Sequence, residues 1–189
     1  MTVVQLALAV DVKAALGRDL TTEEAAKIGA ILDKASELFR RRSGQQFTTG
    51  TSEVRLKVNG GRVYLPQRPV TAVTTVLDDD GVAVEYTRFK QWLTVPLISH
   101  EFVTVTYEHG GVVPDVVRLC IAEIARKVLG IDPNAAAGKV QHTETTGPFT
   151  DSDTYATWAQ GGQTMLAPDD NALADTFRVR IPNVIVQRP

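Results

Sequence analysis

The stretch VTVTYEHGGVVPDVVRLCIAEIARKVLG, Val103 to Gly130, decides the fold. Its first five residues alternate apolar and polar types, as a half-buried strand does, because successive strand side chains point to opposite faces. Gly110-Gly111 supplies the positive φ that turns a chain, and Pro114 suits a first helical position, where its missing N–H is not needed. Asp115 adds negative charge at the helix start. From there Val116, Val117, Leu119, Cys120, Ile121, Ile124, Ala125, Val128 and Leu129 form an apolar face wide enough to be covered on more than one side. Arg118, Glu123, Arg126 and Lys127 supply its polar edge. A helix of this kind belongs at the centre of a bundle.

Working outward towards the N-terminus, Thr21-Thr-Glu-Glu24 matches a capping box, in which a hydroxyl and a carboxylate each satisfy an orphaned backbone N–H. Ile28, Ile31, Leu32, Ala35, Leu38 and Phe39 then recur at helical spacing. Arg40-Arg41-Arg42 complements the macrodipole at the end, and Gly44 stops the helix. Before it, Val4, Leu6, Leu8, Val10, Val12 and Leu16 leave helix and strand open by periodicity, while Ala7, Ala9, Ala14 and Ala15 favour a short helix ending near Gly17.

Between the two long helices the period switches to two. Val54, Leu56 and Val58 alternate with charges, Asn59-Gly60-Gly61 turns, and Val63-Tyr64-Leu65 returns as a hairpin. Val70–Leu77 and Val82–Tyr86 flank Asp78-Asp79-Asp80-Gly81, a hairpin turn signal that lacks the spaced further ligands of a calcium loop. Trp92–Val95 and Phe102–Tyr107 complete a small sheet of four to six strands. After Gly130, Asp132-Pro-Asn134 breaks the helix and Ala135–Gly138 reads as a flexible link. Lys139–Gly162 is polar, with too little apolar surface to form a core of its own. Pro168–Phe177 reads as a short helix and Arg178–Pro189 as an extended tail.

The expected fold is therefore α+β: a small helical bundle of two long helices with a short N-terminal and a short C-terminal helix. It carries an inserted β-hairpin or small antiparallel sheet region and ends in an extended C-terminal tail. Residues 1–130 make the core domain, with helices over 4–16, 22–43 and 114–130 and the β-rich insertion over 53–108. Residues 131–189 make an extended segment with a short helix over 168–177 and the tail over 178–189.

Composition narrows function mainly by exclusion. A chain of 189 residues with net charge −2 has room for a real core but no basic excess to suit a nucleic-acid-binding module. The single cysteine, Cys120, rules out an internal disulfide framework and falls on an apolar helix face, as a small buried hydrophobe does. No apolar run approaches the roughly 20 residues of a membrane span, and Thr2–Val10 lacks the basic flank of a signal peptide. His100, His109 and His142 fall in no metal-ligand pattern. The chain has no Gly-x-Ser-x-Gly elbow, Walker loop or Rossmann fingerprint. No catalytic residues, metal ligands or cofactor are expected, and an interaction or structural role is favoured over an enzyme. The enzyme reading would require Glu108, His109 and Asp115 to gather around a cavity.

The order of these elements, with the phrases "LPQRPVTAVTTV", "DDDGVAVEY", "FVTVTYEHGG" and "VPDVVRLCIAEIARKVLG", resembles the head-to-tail adaptor (head completion, connector) family of long-tailed bacteriophages. In that family "R-P-V-x-x-V" is followed by "Y-x-x-G" and a proline leading into a long helix; here these positions are Arg68, Pro69, Val70, Val73, Tyr107, Gly110 and Pro114. The likeness spans Leu16 to Gly130, and Pro168–Pro189 fits the family's closing helix and tail, although Asp132–Gly162 is longer than the family's connection. The resemblance implies a homo-oligomeric ring of twelve subunits in the virion neck, made in the bacterial host cytoplasm. Such a ring docks beneath the portal protein, meets the stopper or tail-completion protein below, and lines the channel through which genomic DNA passes without sequence-specific binding. A stopper or tail terminator is the alternative within the same assembly. For portal binding the expected residues are Arg178, Val179, Arg180, Ile181, Val184, Ile185 and Val186, since β-branched residues in a tail with no partner strand suit strand addition.

Overall fold

The computed structural model describes residues 4–96, 101–131, 133–146, 149–154 and 163–179. In chain order the elements are α1 (Ala9–Leu16), α2 (Thr22–Ser43), β1 (Gly50–Lys57), β2 (Arg62–Tyr64), β3 (Val70–Leu77), β4 (Thr87–Phe89), β5 (Trp92–Thr94), β6 (Phe102–His109), α3 (Asp115–Leu129), α4 (Pro133–Ala136), β7 (Gln141–Thr146), β8 (Phe149–Thr154) and α5 (Pro168–Thr176). The architecture is α+β, as expected. Two compact units divide it: Met1–Arg42 with Pro114–Thr176, and Ser43–Val113 with Phe177–Pro189.

In the first, helical unit, α2 begins where the capping box predicts. The Thr21 N–H donates to Glu24 Oε2 at 2.8 Å, and the Glu24 N–H donates to Thr21 Oγ1 at 3.3 Å. The first helix is shorter than the expected 4–16 and starts at Ala9. Asp11 sets that start, because its carboxylate accepts the Leu8 N–H at 2.8 Å and so caps the helix. Upstream, the chain is bound to α2 instead of coiling: the Leu6 N–H donates to Ser36 Oγ at 3.0 Å, and Arg40 donates to the Val4 carbonyl at 2.7 Å. Gly17, at φ 70°, closes α1 in the left-handed conformation.

Helix α3 packs on α1, and Arg118 ties the two together through Asp11. Val117, Cys120, Ile121, Ile124 and Ala125 are buried, one stripe at i, i+3, i+4, i+7 and i+8. Ala122, fully buried on its flank, widens the buried face, whereas Val116 and Leu119 lie outside it, 48% and 54% exposed. Asp170, buried at the start of α5, accepts from the Ala167 N–H at 3.0 Å and pairs with Lys127 of α3 at 3.3 Å. Arg42 of α2 pairs with Asp175 at the other end of α5. The segment after Gly130 departs most from expectation. Pro133–Ala136 is a short helix that spans the predicted break and the first half of the predicted link Ala135–Gly138, and β7 and β8 form an antiparallel hairpin, Gln141 opposite Thr154 and Thr146 opposite Phe149.

The second unit contains two three-stranded antiparallel sheets, ordered β1-β6-β3 and β2-β5-β4, in place of one small sheet. The Asn59 turn forms as predicted: Asn59 and Arg62 exchange both backbone hydrogen bonds, with Gly60 and Gly61 at φ 57° and 75°. The strands it joins then diverge. β1 pairs along its whole length with β6, while β2 pairs with β5. A turn signal fixes the reversal but not the partner, and β6 offers β1 eight paired residues where β2 has only three. The aspartate turn also forms: Asp78 Oδ1 accepts the N–H groups of Asp80 and Val82, and Asp79 pairs with Arg55 at 2.8 Å. Alternation along β6 turns Val103, Val105 and Tyr107 into a core shared with Leu56, Val63, Val76 and Leu93.

Candidate functional site

Two segments of the second unit meet in a polar clamp with no sequence motif to announce it. Gln45 donates to the Pro66 carbonyl at 2.8 Å and accepts the Arg68 N–H at 2.9 Å. Gln67 answers in the opposite direction, donating to the Gly44 carbonyl at 2.9 Å and accepting the Gln46 N–H at 2.8 Å. Tyr107 completes the arrangement by accepting the Gln67 N–H at 3.0 Å, and burial raises its phenol above the ordinary value. Gly110, at φ 81°, is indispensable here, since a Cβ would lie 2.0 Å from the Thr48 carbonyl oxygen.

Of the residues named for an enzyme reading, Glu108 is exposed and His109 is buried, on opposite faces of β6, while Asp115 is held by Arg118 at 2.8 Å. His109 shares a hydrogen bond of 2.8 Å with Ser52 Oγ, and its buried Nδ1 has no hydrogen-bond partner among the described residues. Burial lowers its pKa, favouring neutral imidazole. Cys120 is unsuited to thiolate chemistry. Burial, with Asp170 beside it, pushes its thiol up to about 12.

The surfaces are more informative than the interior. Val4, Leu8 and Val10 around α1 are each about 60% exposed, and Val116 and Leu119 add to this apolar surface of the helical unit. On the second unit, Phe89 stacks on Trp92 with ring centroids 4.6 Å apart, and Arg62 lies 4.9 Å from the centroid of the same indole. Beside this ladder runs an open groove of about 720 Å³, lined by Gly60, Gly61, Val84, Tyr86, Thr94 and Pro96 among others. Of the expected portal-binding residues, Arg178 is exposed and Val179 half-buried. They follow Phe177, whose ring packs edge-on against Phe47 at 5.3 Å. Arg180, Ile181, Val184, Ile185 and Val186 lie outside the described residues.

The chain shares its fold with a neck protein. A chain in a structure described as the neck of an empty GTA particle computed with C6 symmetry superposes with a TM-score of 0.56 at 16% identity, over 96% of this chain and 95% of that one. A chain from the neck of a native GTA particle computed with C12 symmetry gives a TM-score of 0.49 at 15% identity, over 96% and 98%. No protein-family model matches the chain, and no curated protein does.

Proposed function

We propose that this chain is a structural component of the neck of a phage-like particle and serves as its head-to-tail adaptor. A ring of copies, twelve by the family resemblance, would sit beneath the portal protein, meet the stopper or tail-completion protein below, and surround the channel for genomic DNA. The observation that carries this reading is the likeness in fold, along nearly the whole of both chains, to a protein from the neck of a GTA particle. The resemblance of Leu16–Gly130 to phage adaptors points the same way from sequence alone. Half-exposed aliphatic residues such as Val10, Val116 and Leu119 suit contacts between subunits, and a net charge of −2 suits a channel through which DNA slides without strong phosphate contacts.

Attachment to the portal is assigned to the tail that begins at Arg178. Each tail would bind weakly through main-chain hydrogen bonds worth about 1 kcal/mol apiece, and a ring of tails would hold by avidity. Truncation after Phe177 tests the whole reading when the protein is added to DNA-filled heads that carry the portal and lack the adaptor. The full chain restores tail joining, whereas the truncated chain folds but does not attach. Full-chain protein that neither binds the heads nor restores joining contradicts the adaptor role, and undiminished attachment of the truncated chain contradicts the role of the tail.

A further inference from the structure

Among the described residues, two elements each lack a neighbouring strand. In the sheet β1-β6-β3, the outer edge of β3 is covered along its length. Arg88 donates to the Val70 and Thr71 carbonyls, Tyr86 to the Val73 carbonyl at 3.2 Å and the Val84 N–H to the Val76 carbonyl at 2.9 Å, while Ala83 bridges Leu77. The outer edge of β1, eight residues long, has no backbone partner among the described residues. An open edge of that length is a template for pairing with another chain, and stable proteins cover or interrupt such edges. β1 has no proline, and among the described residues no strand pairs with its outer edge.

The hairpin of β7 and β8 has the converse deficiency. It is a two-stranded sheet with no third strand among the described residues, and Gln141, Thr143, Ser152, Asp153 and Thr154 are exposed. Two strands without an apolar face are marginal in water; a third strand or a packed surface is what stabilises them. Threonine nevertheless gives β7 strong strand character, and each hairpin strand has six residues against the eight of β1.

We infer that the β7–β8 hairpin of one copy adds to the open β1 edge of a neighbouring copy, making a five-stranded sheet across the subunit boundary. Donor and acceptor belong to the same chain, so the contact is head-to-tail. Each copy gives a hairpin and receives one, and repetition closes a ring or runs on as a filament. This inference rests on the neck-ring reading and assigns the surfaces that hold the ring together. It also gives the polar segment after Gly130 a role: its threonines and serines meet main chain, not a hydrophobic core.

A short bis-maleimide tests it on the full chain carrying Glu53→Cys and Asp153→Cys, both at exposed positions. Cys120 is buried with a suppressed thiolate and stays out of the reaction. In concentrated protein, and in protein bound to portal-bearing heads, the double variant gives a ladder of covalent dimers, trimers and larger species. Each single variant stops at dimer. A hairpin-shortened variant, with residues 141–154 replaced by a Gly-Ser linker, keeps the circular dichroism of the folded parent and loses self-association in light scattering. A cross-link confined to one chain, or undiminished self-association of the shortened variant, overturns the inference and leaves the ring reading standing. A parent chain that stays monomeric at every concentration and on heads overturns both.

Discussion

β6 and β7 are both threonine-rich antiparallel strands, yet they are held in different ways. β6 alternates its threonines with Val103, Val105 and Tyr107, each fully buried, and it is paired on both edges. β7 alternates threonine with polar residues and is paired on one edge only among the described residues. Threonine favours extended backbone in both, through its stiff branched side chain. The residue between the threonines decides whether a strand is stabilised by a core or is left to find a partner.

Substitutions sharpen that contrast. Tyr107→Ala removes the largest fully buried side chain among the described residues and the acceptor for the Gln67 N–H, so urea unfolding should show a loss of about 3–5 kcal/mol. A loss below 1 kcal/mol would mean that β6 does not organise its unit. Between the core and the hairpin in expected effect lies Asp170→Ala, which strips α5 of a buried cap to the Ala167 N–H and of its pairing with Lys127. A cost of about 1–3 kcal/mol is expected from the same measurement.

His109 gives the β6 face a pH signature. Its folded pKa lies below the ordinary 6.5, so the unfolded chain binds the proton first as pH falls, and the folded state loses stability from about 6.5 downward through the depressed value. Chemical unfolding at stepped pH should show this loss in the parent and a smaller one in His109→Asn. Equal losses in both would remove His109 as the source.

The smallest effects belong to the exposed surfaces. Thr143→Ala in β7 and Leu119→Ala in α3 should each change the stability of the isolated chain by about 0.5 kcal/mol or less, since neither side chain is buried. A cost above 2 kcal/mol at Leu119 would mean that the buried face of α3 extends to it. At α2, the Glu24 carboxyl, hydrogen-bonded by Arg18 and by the Thr21 N–H, is lowered to about 2. A carboxyl titration by NMR should place it there, and Arg18→Ala should move it back towards 4.5.

Local signals were legible in the sequence where the chemistry is local. The capping box at Thr21, the Asn59 and Asp78 turns and the start of α3 after Pro114 are set by residues within a few positions of one another. The pairing of β1 with β6 was not legible, because it joins residues about 50 positions apart that the turn at Asn59 does not connect. The exposure of Leu119 is not legible either, because helical periodicity measures the width of an apolar face and not how much of it is covered. The hairpin after Gly130 has no signal in the sequence, because a strand without apolar alternation leaves no hydrophobic period to detect. The glutamine clamp of Gln45 and Gln67 has no signature at all, since either residue would be equally ordinary on a surface.

A cryo-electron density map of the particle's head-to-tail junction tests the central claim most directly. The account predicts a single ring of copies of this fold beneath the portal, with each β7–β8 hairpin against the β1 edge of the next copy. A map in which the ring under the portal has a different fold, with this chain elsewhere or absent, would contradict it.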